Sequence, residues 1–249
     1  PAEVAAALRP DTVLISIMHA NNEVGTIQPI AEIAALARKH GILMHTDAAQ
    51  SLGKIPARVD ELGVDLLSVA GHKLYAPKGV GALYIRTGVE PQIFCHGAGQ
   101  ENGRRAGTEN VLEIVGLGAA CQLAATNLED HTSHLRAMRV RLEEGLESAL
   151  ADIRINGHRT HRLPNTCSVS FYGLEANRIL EEIGLEVAAS AGAACHADRV
   201  EISHVLTAMQ VPEPWAKGTV RFTSGRSTTA AEIDHALEVI VPAVKRLRG

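Results

Sequence analysis

Three segments in the first half of the sequence carry side chains that could do chemistry, and each follows a predicted strand. They are HANNEVG from His19, HTDAAQ from His45 and the tripeptide Gly71-His72-Lys73. Ligands of open α/β sheets bind beyond the carboxyl ends of the strands, so we expect the three segments to converge on one crevice. Within it, a lysine amine could form a Schiff base with an aldehyde, and a carboxylate could keep a pyridine nitrogen protonated.

Lys73 and Asp47 are the pair that pyridoxal 5'-phosphate (PLP) requires. The amine holds the cofactor, and the carboxylate keeps the ring an electron sink. Gln50 and Asn22 can hydrogen-bond the ring oxygen, and His72 can reach the phosphate. Taken singly, an aspartate at a strand end is usually a turn or cap residue and a lysine is usually a solvated surface charge. Their order along the chain and their shared position at strand ends favour the PLP interpretation.

A thiol is the other candidate reactive group. Small residues precede Cys195 and polar ones follow, which predicts a flexible, solvent-reachable loop, and a reactive thiol must be accessible. Cys167 lies in an alternating strand pattern and is predicted to be buried, Cys121 is predicted to be core in an Ala-rich helix, and Cys95 is a weaker rival. The four cysteines form no CxxC pair, which is typical of reduced thiols in a cytosolic protein.

Alternating strands and helices must position these groups. A helix begins at Pro29 and ends at Gly41, between the first two strands. The first strand is a near-continuous apolar run, typical of burial on both faces. The alternation predicts an α/β fold with a mainly parallel sheet. The predicted strands are Thr12 to His19, Ile42 to Thr46, Asp65 to Val69 and Gly81 to Ile85.

From about Val111 the pattern changes to that of a smaller α+β domain. We predict a boundary between residues 127 and 128, with the large domain at 1–127 and the small domain, carrying the Cys195 loop, at 128–249. The predicted helices are Val111 to Ala125, His134 to Ala151, Leu174 to Ile183 and Ala231 to Leu247, and the predicted strands are Ile153 to Ile155, Thr166 to Phe171 and Thr219 to Thr223.

Composition excludes two classes of partner. The net charge is −4, so the basic stripe of a nucleic-acid-binding protein is not expected. No apolar run reaches the roughly 18 residues that a membrane helix needs. Together with the unpaired cysteine pattern, this favours a cytoplasmic protein.

Six motifs resemble those of the class V PLP enzymes of fold type I, nearest to the cysteine desulfurase and selenocysteine lyase branch. They are HANNEVG, HTDAAQSLGK, GHKLYAPKGVGALY, HGAGQENGRRAGT, LPNTCSVSF and VRFTSGRSTT. The resemblance implies a PLP fold type I large domain that is incomplete here, followed by a small domain. It also implies the PLP roles given above for Lys73, Asp47, Asn22, Gln50 and His72. Thr108 is implied to reach the phosphate of a partner subunit's cofactor, so the active site is shared across a homodimer.

Two departures from the family pattern stand out. Many relatives have a serine three residues before the lysine, where this chain has Ala70. The family's upstream glycine-rich phosphate loop and ring-stacking histidine have no counterpart here, and Pro1 begins the sequence in mid-pattern. The chain therefore resembles a fragment. We expect an apolar sheet face to be exposed, PLP to be sub-stoichiometric or absent, and the isolated chain to be weakly active or inactive.

The resemblance implies that Cys195 takes sulfur from L-cysteine, or selenium from L-selenocysteine, and later passes it to an acceptor protein. GAACHAD is more similar to the selenocysteine lyase form of this loop than to the SGSAC form. Arg221 is the expected carboxylate anchor, since a guanidinium binds a carboxylate through paired hydrogen bonds, and Arg226 is expected to be structural. Two alternatives stay open: another class V enzyme such as an aminotransferase, and an inactive fragment that serves as an interaction module.

Overall fold

The computed structural model describes residues 1–196 and 199–249, with no side chains described for residues 193–201. The chain divides into two compact units. The first comprises Pro1–Ala20 and Gln28–Leu128, and the second comprises Asn21–Ile27 and Glu129–Gly249. Among the described residues no single helix is long and apolar enough to cross a membrane. Two consecutive helices, Val111–Thr126 and Leu128–Ala149, are together long and apolar enough by length and composition. The pair is bent by 77° at the break between them.

The secondary structure follows the predicted order. The strands are β1 (Leu14–Met18), β2 (Leu43–Asp47), β3 (Leu66–Ala70), β4 (Gly81–Ile85), β5 (Ile153–Ile155), β6 (Thr166–Phe171), β7 (Ser190–Ala191), β8 (Ala193–His196), β9 (Arg199–Ile202) and β10 (Thr219–Thr223). The α-helices are α1 (Ala2–Ala7), α2 (Ile30–Lys39), α3 (Val59–Leu62), α4 (Val111–Thr126), α5 (Leu128–Ala149), α6 (Ala176–Ile183), α7 (His204–Ala208), α8 (Glu213–Ala216) and α9 (Ala230–Arg248). Short 3₁₀ helices lie at Gly71–Leu74 and Glu101–Gly103.

The first unit contains a four-stranded sheet in the order β1-β2-β3-β4. Strands β1, β2 and β3 are parallel, and β4 pairs antiparallel with β3. A parallel return needs a crossover of about a dozen residues or more, and the connection from β3 to β4 is shorter. The predicted α/β fold with a mainly parallel sheet is confirmed, and the antiparallel edge strand follows from the short connection.

The two faces of this sheet differ in burial. On one face Ile15, Met44 and Leu67 are buried with the apolar side of α2. On the other face Leu14 and Leu83 are 45% and 51% exposed. The prediction that the first strand is buried on both faces is therefore wrong for the described structure, and the expected exposed apolar sheet face is present.

The second unit is built on an antiparallel sheet in the order β5-β6-β10-β7. Helices α5, α6 and α9 bury apolar residues against it, including Leu146, Ile179 and Ile240. Thr229 begins α9 with a capping box, since its hydroxyl accepts from the Glu232 amide while the Glu232 carboxylate accepts from the Thr229 amide. The α+β character predicted for this half is confirmed.

Candidate active site

Asp47 is the last residue of β2 and lies at the carboxyl end of the parallel strands. Its backbone oxygen accepts a 2.8 Å hydrogen bond from the His19 amide, which follows β1. One carboxylate oxygen accepts a 2.8 Å bond from the Ala49 amide, and the side chain remains exposed. Asp47 therefore does take the turn role that a lone aspartate usually has, and it still presents an exposed carboxylate at the carboxyl ends of the parallel strands.

Lys73 stands on the 3₁₀ turn directly after β3, between the buried residues Gly71 and Leu74. The turn is tight: the Gly71 amide donates to the Val80 oxygen at 3.0 Å, and a Cβ at Gly71 would lie 2.6 Å from that oxygen. Tyr75 ends the turn with a left-handed φ of 64°. Lys73 and His72 are both exposed, whereas the residues on either side of them are buried.

The turn carrying Gln50 packs against the turn carrying Lys73. A Cβ at Gly53 would lie 2.3 Å from Leu74 Cδ1, and the left-handed φ of 74° at this position favours glycine. Lys54 Nζ donates a 3.0 Å hydrogen bond to the Gln50 backbone oxygen. Burial, and then the nearby charge of Lys73, lowers the pKa of Lys54 to about 8. The structure thus brings Gln50 and Lys73 to one region of the first unit.

The buried His19 and the half-buried Lys54 support this region, and the sequence analysis gave neither of them this role. His19 Nδ1 lies 2.9 Å from Ser51 Oγ, which joins the end of β1 to the turn after β2. Burial lowers the pKa of His19, because the charged imidazolium is disfavoured away from water. Lys54 was part of a quoted motif and was given no role. A lysine in a glycine-containing turn carries no local signal of such an environment, and the charge of Lys73 that acts on it lies 19 positions away in the sequence.

Arg221 and Asn22 meet in the second unit. Arg221, on β10, donates from Nη1 to the Asn22 backbone oxygen at 2.7 Å and from Nη2 to Ser190 Oγ at 3.2 Å. Its Nε is buried and has no hydrogen-bond partner among the described atoms. A groove of about 750 Å³ adjoins the pair, with Glu23, Ser203 and Gly192 in its lining. Since a guanidinium has five N–H donors, further donors remain for a carboxylate.

The cysteines differ in accessibility. Cys167 is buried in β6 as predicted, and burial together with the Glu143 charge raises its thiol pKa well above the ordinary value. Cys95 is exposed, and Cys121 is only half-buried in α4, so the prediction that Cys121 is core is wrong. The backbone at Cys195 lies on β8, opposite Val200 of β9, rather than in the predicted loop, and its side chain lies outside the described residues.

Thr108 follows a loop that is held by its own hydrogen bonds. Gln100 Oε1 accepts from the Gly107 amide at 3.1 Å, and Arg105 donates to the Gly107 oxygen at 3.0 Å. Thr108 itself is exposed. Asp47, Gln50, His72, Lys73 and Thr108 thus belong to the first unit, and Asn22, Arg221 and the backbone of Cys195 belong to the second.

The candidate site residues of the first unit have the chemical groups that PLP needs. An exposed amine can hold an aldehyde carbon, and an exposed carboxylate can pair a pyridinium nitrogen. Gly71, which has no room for a Cβ, keeps the amine on a rigid turn. Ala70 offers no hydroxyl, so a phosphate would depend on His72 and on groups elsewhere.

Comparison with known proteins finds relatives that carry the same name. "Cysteine desulfurase IscS" of Dictyoglomus turgidum is 47% identical over 100% of this chain and 63% of its own length. The protein of the same name in Methanosarcina thermophila is 47% identical, over 100% of this chain and 62% of its own length. The chain thus spans less than two thirds of the length of these relatives.

Solved structures agree with the sequence relatives. A structure described as "NIFS-LIKE PROTEIN" matches with a TM-score of 0.90 and 36% identity, over 99% of this chain and 65% of that one. "SspA in complex with cysteine" matches with a TM-score of 0.74 and 35% identity, over 92% and 63%. A sequence profile described as "Aminotransferase class-V", a family of PLP-dependent enzymes, matches residues 1–236. The chain belongs to the class V aminotransferase family.

Proposed function

We propose that this chain carries the machinery of a PLP-dependent cysteine desulfurase, which converts L-cysteine to L-alanine and keeps the sulfur as a persulfide on Cys195. The observation that carries the proposal is the pair of exposed groups, Lys73 and Asp47, at the carboxyl ends of the adjacent parallel strands β3 and β2. Relatives named cysteine desulfurase, at 47% identity over the whole chain, support the choice of reaction.

Four residues of the first unit would hold the cofactor. Lys73 would bind its aldehyde carbon, Asp47 would pair its ring nitrogen, Gln50 would bond its ring oxygen and His72 would contact its phosphate. When bound, PLP supplies an electron sink that allows bonds at the substrate Cα and Cβ to break. The Lys73 amine, set on its rigid turn, is the group placed to take and return the proton of the substrate Cα.

The second unit would hold the substrate. The Arg221 guanidinium is oriented by its bonds to Asn22 and Ser190, and its remaining N–H groups can pair with the substrate carboxylate. Asn22 would contact both the substrate and the ring oxygen. Orientation of the guanidinium before binding reduces the entropy that a flexible side chain would otherwise lose on ligand binding.

The sulfur-transfer step balances without an external oxidant or reductant. The Cys195 thiolate attacks the substrate sulfur, an S–S bond forms, and the substrate Cβ–S bond breaks. The electron pair of that bond returns to carbon, where a proton completes the alanine methyl group. The products are L-alanine and a persulfide on Cys195, which a thiol of an acceptor protein can then take up. Because this thiol must stay reduced between turnovers, we place the enzyme in the cytoplasm.

L-Selenocysteine is a second candidate substrate, favoured by the similarity of GAACHAD to the selenocysteine lyase loop. A competition assay that measures alanine released from each amino acid separates the two. A clear preference for selenocysteine, as the ratio of the two kcat/KM values, would replace the cysteine assignment.

We also propose a homodimer that involves α4. This helix exposes the apolar residues Val111, Leu112 and Val115 at 65%, 84% and 65%, and Phe94 nearby in the sequence is 93% exposed. Contiguous exposed apolar patches of this kind mark association surfaces. Thr108 lies three residues before α4, so a dimer through this surface would bring Thr108 near the partner. Analytical ultracentrifugation of the wild type and of Leu112→Glu tests this arrangement.

The central experiment traces one sulfur atom. Because the isolated chain is expected to hold little PLP and to turn over slowly, it is incubated with a large excess of PLP and with L-cysteine for a long time, and alanine release and a mass gain of one sulfur on Cys195 are measured. Cys195→Ala should bind PLP as the wild type does and form no persulfide, and the exposed Cys95→Ala is the matched control. Sulfur on Cys95, or alanine formed without any persulfide, would overturn the assignment, and transamination of cysteine would favour the aminotransferase alternative. A chain that binds neither PLP nor substrate would favour the interaction module.

A further inference from the structure

Ser203 is tied to three parts of the second unit. It begins helix α7, where its hydroxyl oxygen accepts a 3.0 Å hydrogen bond from the Val205 amide. The same hydroxyl donates to Glu23 Oε2 at 2.5 Å. Its backbone amide donates to the Gly192 oxygen at 3.2 Å. Ser203 therefore joins α7, the turn at residues 21–27 and Gly192.

Gly192 and Ser203 flank the hairpin β8–β9, whose first strand contains Cys195, and we call these two residues the hairpin root. Gly192 donates to the Thr219 oxygen of β10 at 2.7 Å. A Cβ at Gly192 would lie 2.8 Å from Thr219 Cγ2, so the root packs directly on the central sheet of the unit. Both ends of the hairpin thus have a defined place in the described structure.

The backbone around Glu23 is held by a turn of its own. The Asn21 side-chain oxygen accepts from the Glu23 and Val24 amides, both at 2.9 Å, and this forms a tight turn. The Asn22 oxygen in the same turn accepts from Arg221, and Val24 packs with Leu206 of α7 in a small apolar cluster. The backbone at Glu23, from which its carboxylate reaches Ser203, is therefore held independently of that bond.

We propose that the Glu23–Ser203 hydrogen bond is a positioning element for sulfur transfer: it locks the root of the hairpin that contains Cys195 to the turn that contains Asn22. This role rests on the proposed function of Cys195 and Asn22. A hydrogen bond to a charged acceptor is stronger than a neutral one, and it is directional. It therefore fixes the base of the hairpin relative to the proposed substrate-binding residues, while neither Glu23 nor Ser203 takes part in the reaction itself.

Ser203→Asp is the decisive variant. Aspartate is as good a helix cap as serine, so α7 keeps its cap while two carboxylates face each other and the bond is lost. Glu23→Gln alone should have a small effect, because its amide oxygen can still accept from Ser203. The double variant Glu23→Gln/Ser203→Asp restores a bond, since the glutamine amide donates to the aspartate. Thr229→Ala is the matched control, because it removes the cap of α9 in the same unit without touching the hairpin root.

Two measurements on the PLP-loaded chain separate the outcomes. The first is hydrogen exchange of the amides in residues 192–203, which requires no turnover. We expect exchange to be about tenfold faster in Ser203→Asp, restored in the double variant and unchanged in Thr229→Ala. The second is the rate of persulfide formation on Cys195. We expect Ser203→Asp to lower it by roughly ten- to a hundredfold with KM for cysteine unchanged, again with rescue.

The inference and the proposed function can fail separately. If the wild type forms the persulfide while Ser203→Asp changes neither exchange nor rate, the positioning role is wrong and the function stands. If exchange responds and is rescued but the wild type transfers no sulfur to Cys195, the lock is present and the proposed function is wrong. A rate loss without rescue in the double variant would also overturn the positioning role.

Discussion

The two units hold their candidate site residues in different ways. In the first unit the backbone sets the position of Lys73 through the tight turn at Gly71, and the side chain itself stays exposed. In the second unit the Arg221 side chain is itself held by bonds to Asn22 and Ser190. An exposed amine on a rigid turn suits covalent attachment, whereas a guanidinium with fixed direction suits recognition of a carboxylate. Substitutions in the first unit should therefore change cofactor attachment, and those in the second should change substrate affinity.

The largest effect is expected from Lys73→Ala, which removes the amine that would hold PLP. Borohydride reduction of the PLP-treated wild type should leave a pyridoxyl group on the peptide containing Lys73, and the variant should show none. Lys78→Ala, an exposed lysine five residues away, should keep the label. Label on Lys54 or Lys78 in the wild type would contradict the assignment.

Gly71→Ala tests whether the backbone positions Lys73. The added Cβ would lie 2.6 Å from the Val80 oxygen, a backbone atom, and 3.0 Å from Val80 Cγ1. We expect the free energy of unfolding to fall by about 1 to 3 kcal/mol, with weaker attachment of PLP. Gly118→Ala in α4 is the control: a Cβ there meets nothing within 4 Å, so helix propensity should raise stability by about 0.5 to 1 kcal/mol. Equal unfolding curves for the two variants in urea would refute the tight-turn explanation.

Arg221→Lys tests whether the second unit binds the substrate carboxylate through the guanidinium. Lysine keeps the positive charge but cannot bond Asn22, Ser190 and a ligand with one planar group. We expect KM for L-cysteine to rise roughly 10- to 100-fold, the equivalent of ~1.5 to 3 kcal/mol, while the amount of PLP bound stays the same. Arg226→Lys in the same motif should leave KM unchanged. A fall in bound PLP without a change in KM would mean that Arg221 serves the cofactor rather than the substrate.

The sequence predicted the local elements of both regions well, because strand and helix periodicity are local properties. It placed β4 at the observed residues and Lys73 and Asp47 at strand ends. It did not predict the antiparallel direction of β4 or the approach of Gly53 to Leu74, which depend on packing between distant segments. The strand at Cys195 was missed for a similar reason, since a short run of small residues has no strand periodicity and gains its structure from pairing with β9.

The assignment of Asn21–Ile27 to the second unit also lay beyond the sequence pattern. The turn directly follows β1, so proximity in the chain placed it with the first domain. Its side chains and backbone instead bond Arg221 and Ser203, nearly 200 residues later. The periodicity of the sequence carries no information on hydrogen bonds between residues so far apart in the chain.

The smallest effect is expected at Lys54 in the first unit, where a buried charge should change how stability depends on pH. Burial, and then the charge of Lys73, lowers the pKa of Lys54 from its usual 10.5 to about 8 in the folded chain. Between these two values the unfolded chain binds more protons than the folded one, so stability must rise with pH across this window. Below about pH 8 the amine is protonated in both states, and the destabilising effect of burying the charge is fully present.

Lys54→Met should remove this pH dependence, because methionine can fill the buried space without a charge. We expect the variant to be more stable than the wild type below about pH 8, by an amount that shrinks as pH rises toward 10.5. Urea unfolding of both proteins across this range measures the difference, and Lys39→Met in α2 controls for the loss of an exposed lysine. If the variant is instead less stable at neutral pH, the bond from Lys54 to the Gln50 oxygen outweighs the burial of the charge. Lys54 would then support the Gln50 turn as a structural cation, and the first unit, like the second, would rely on a charged side chain for its positioning.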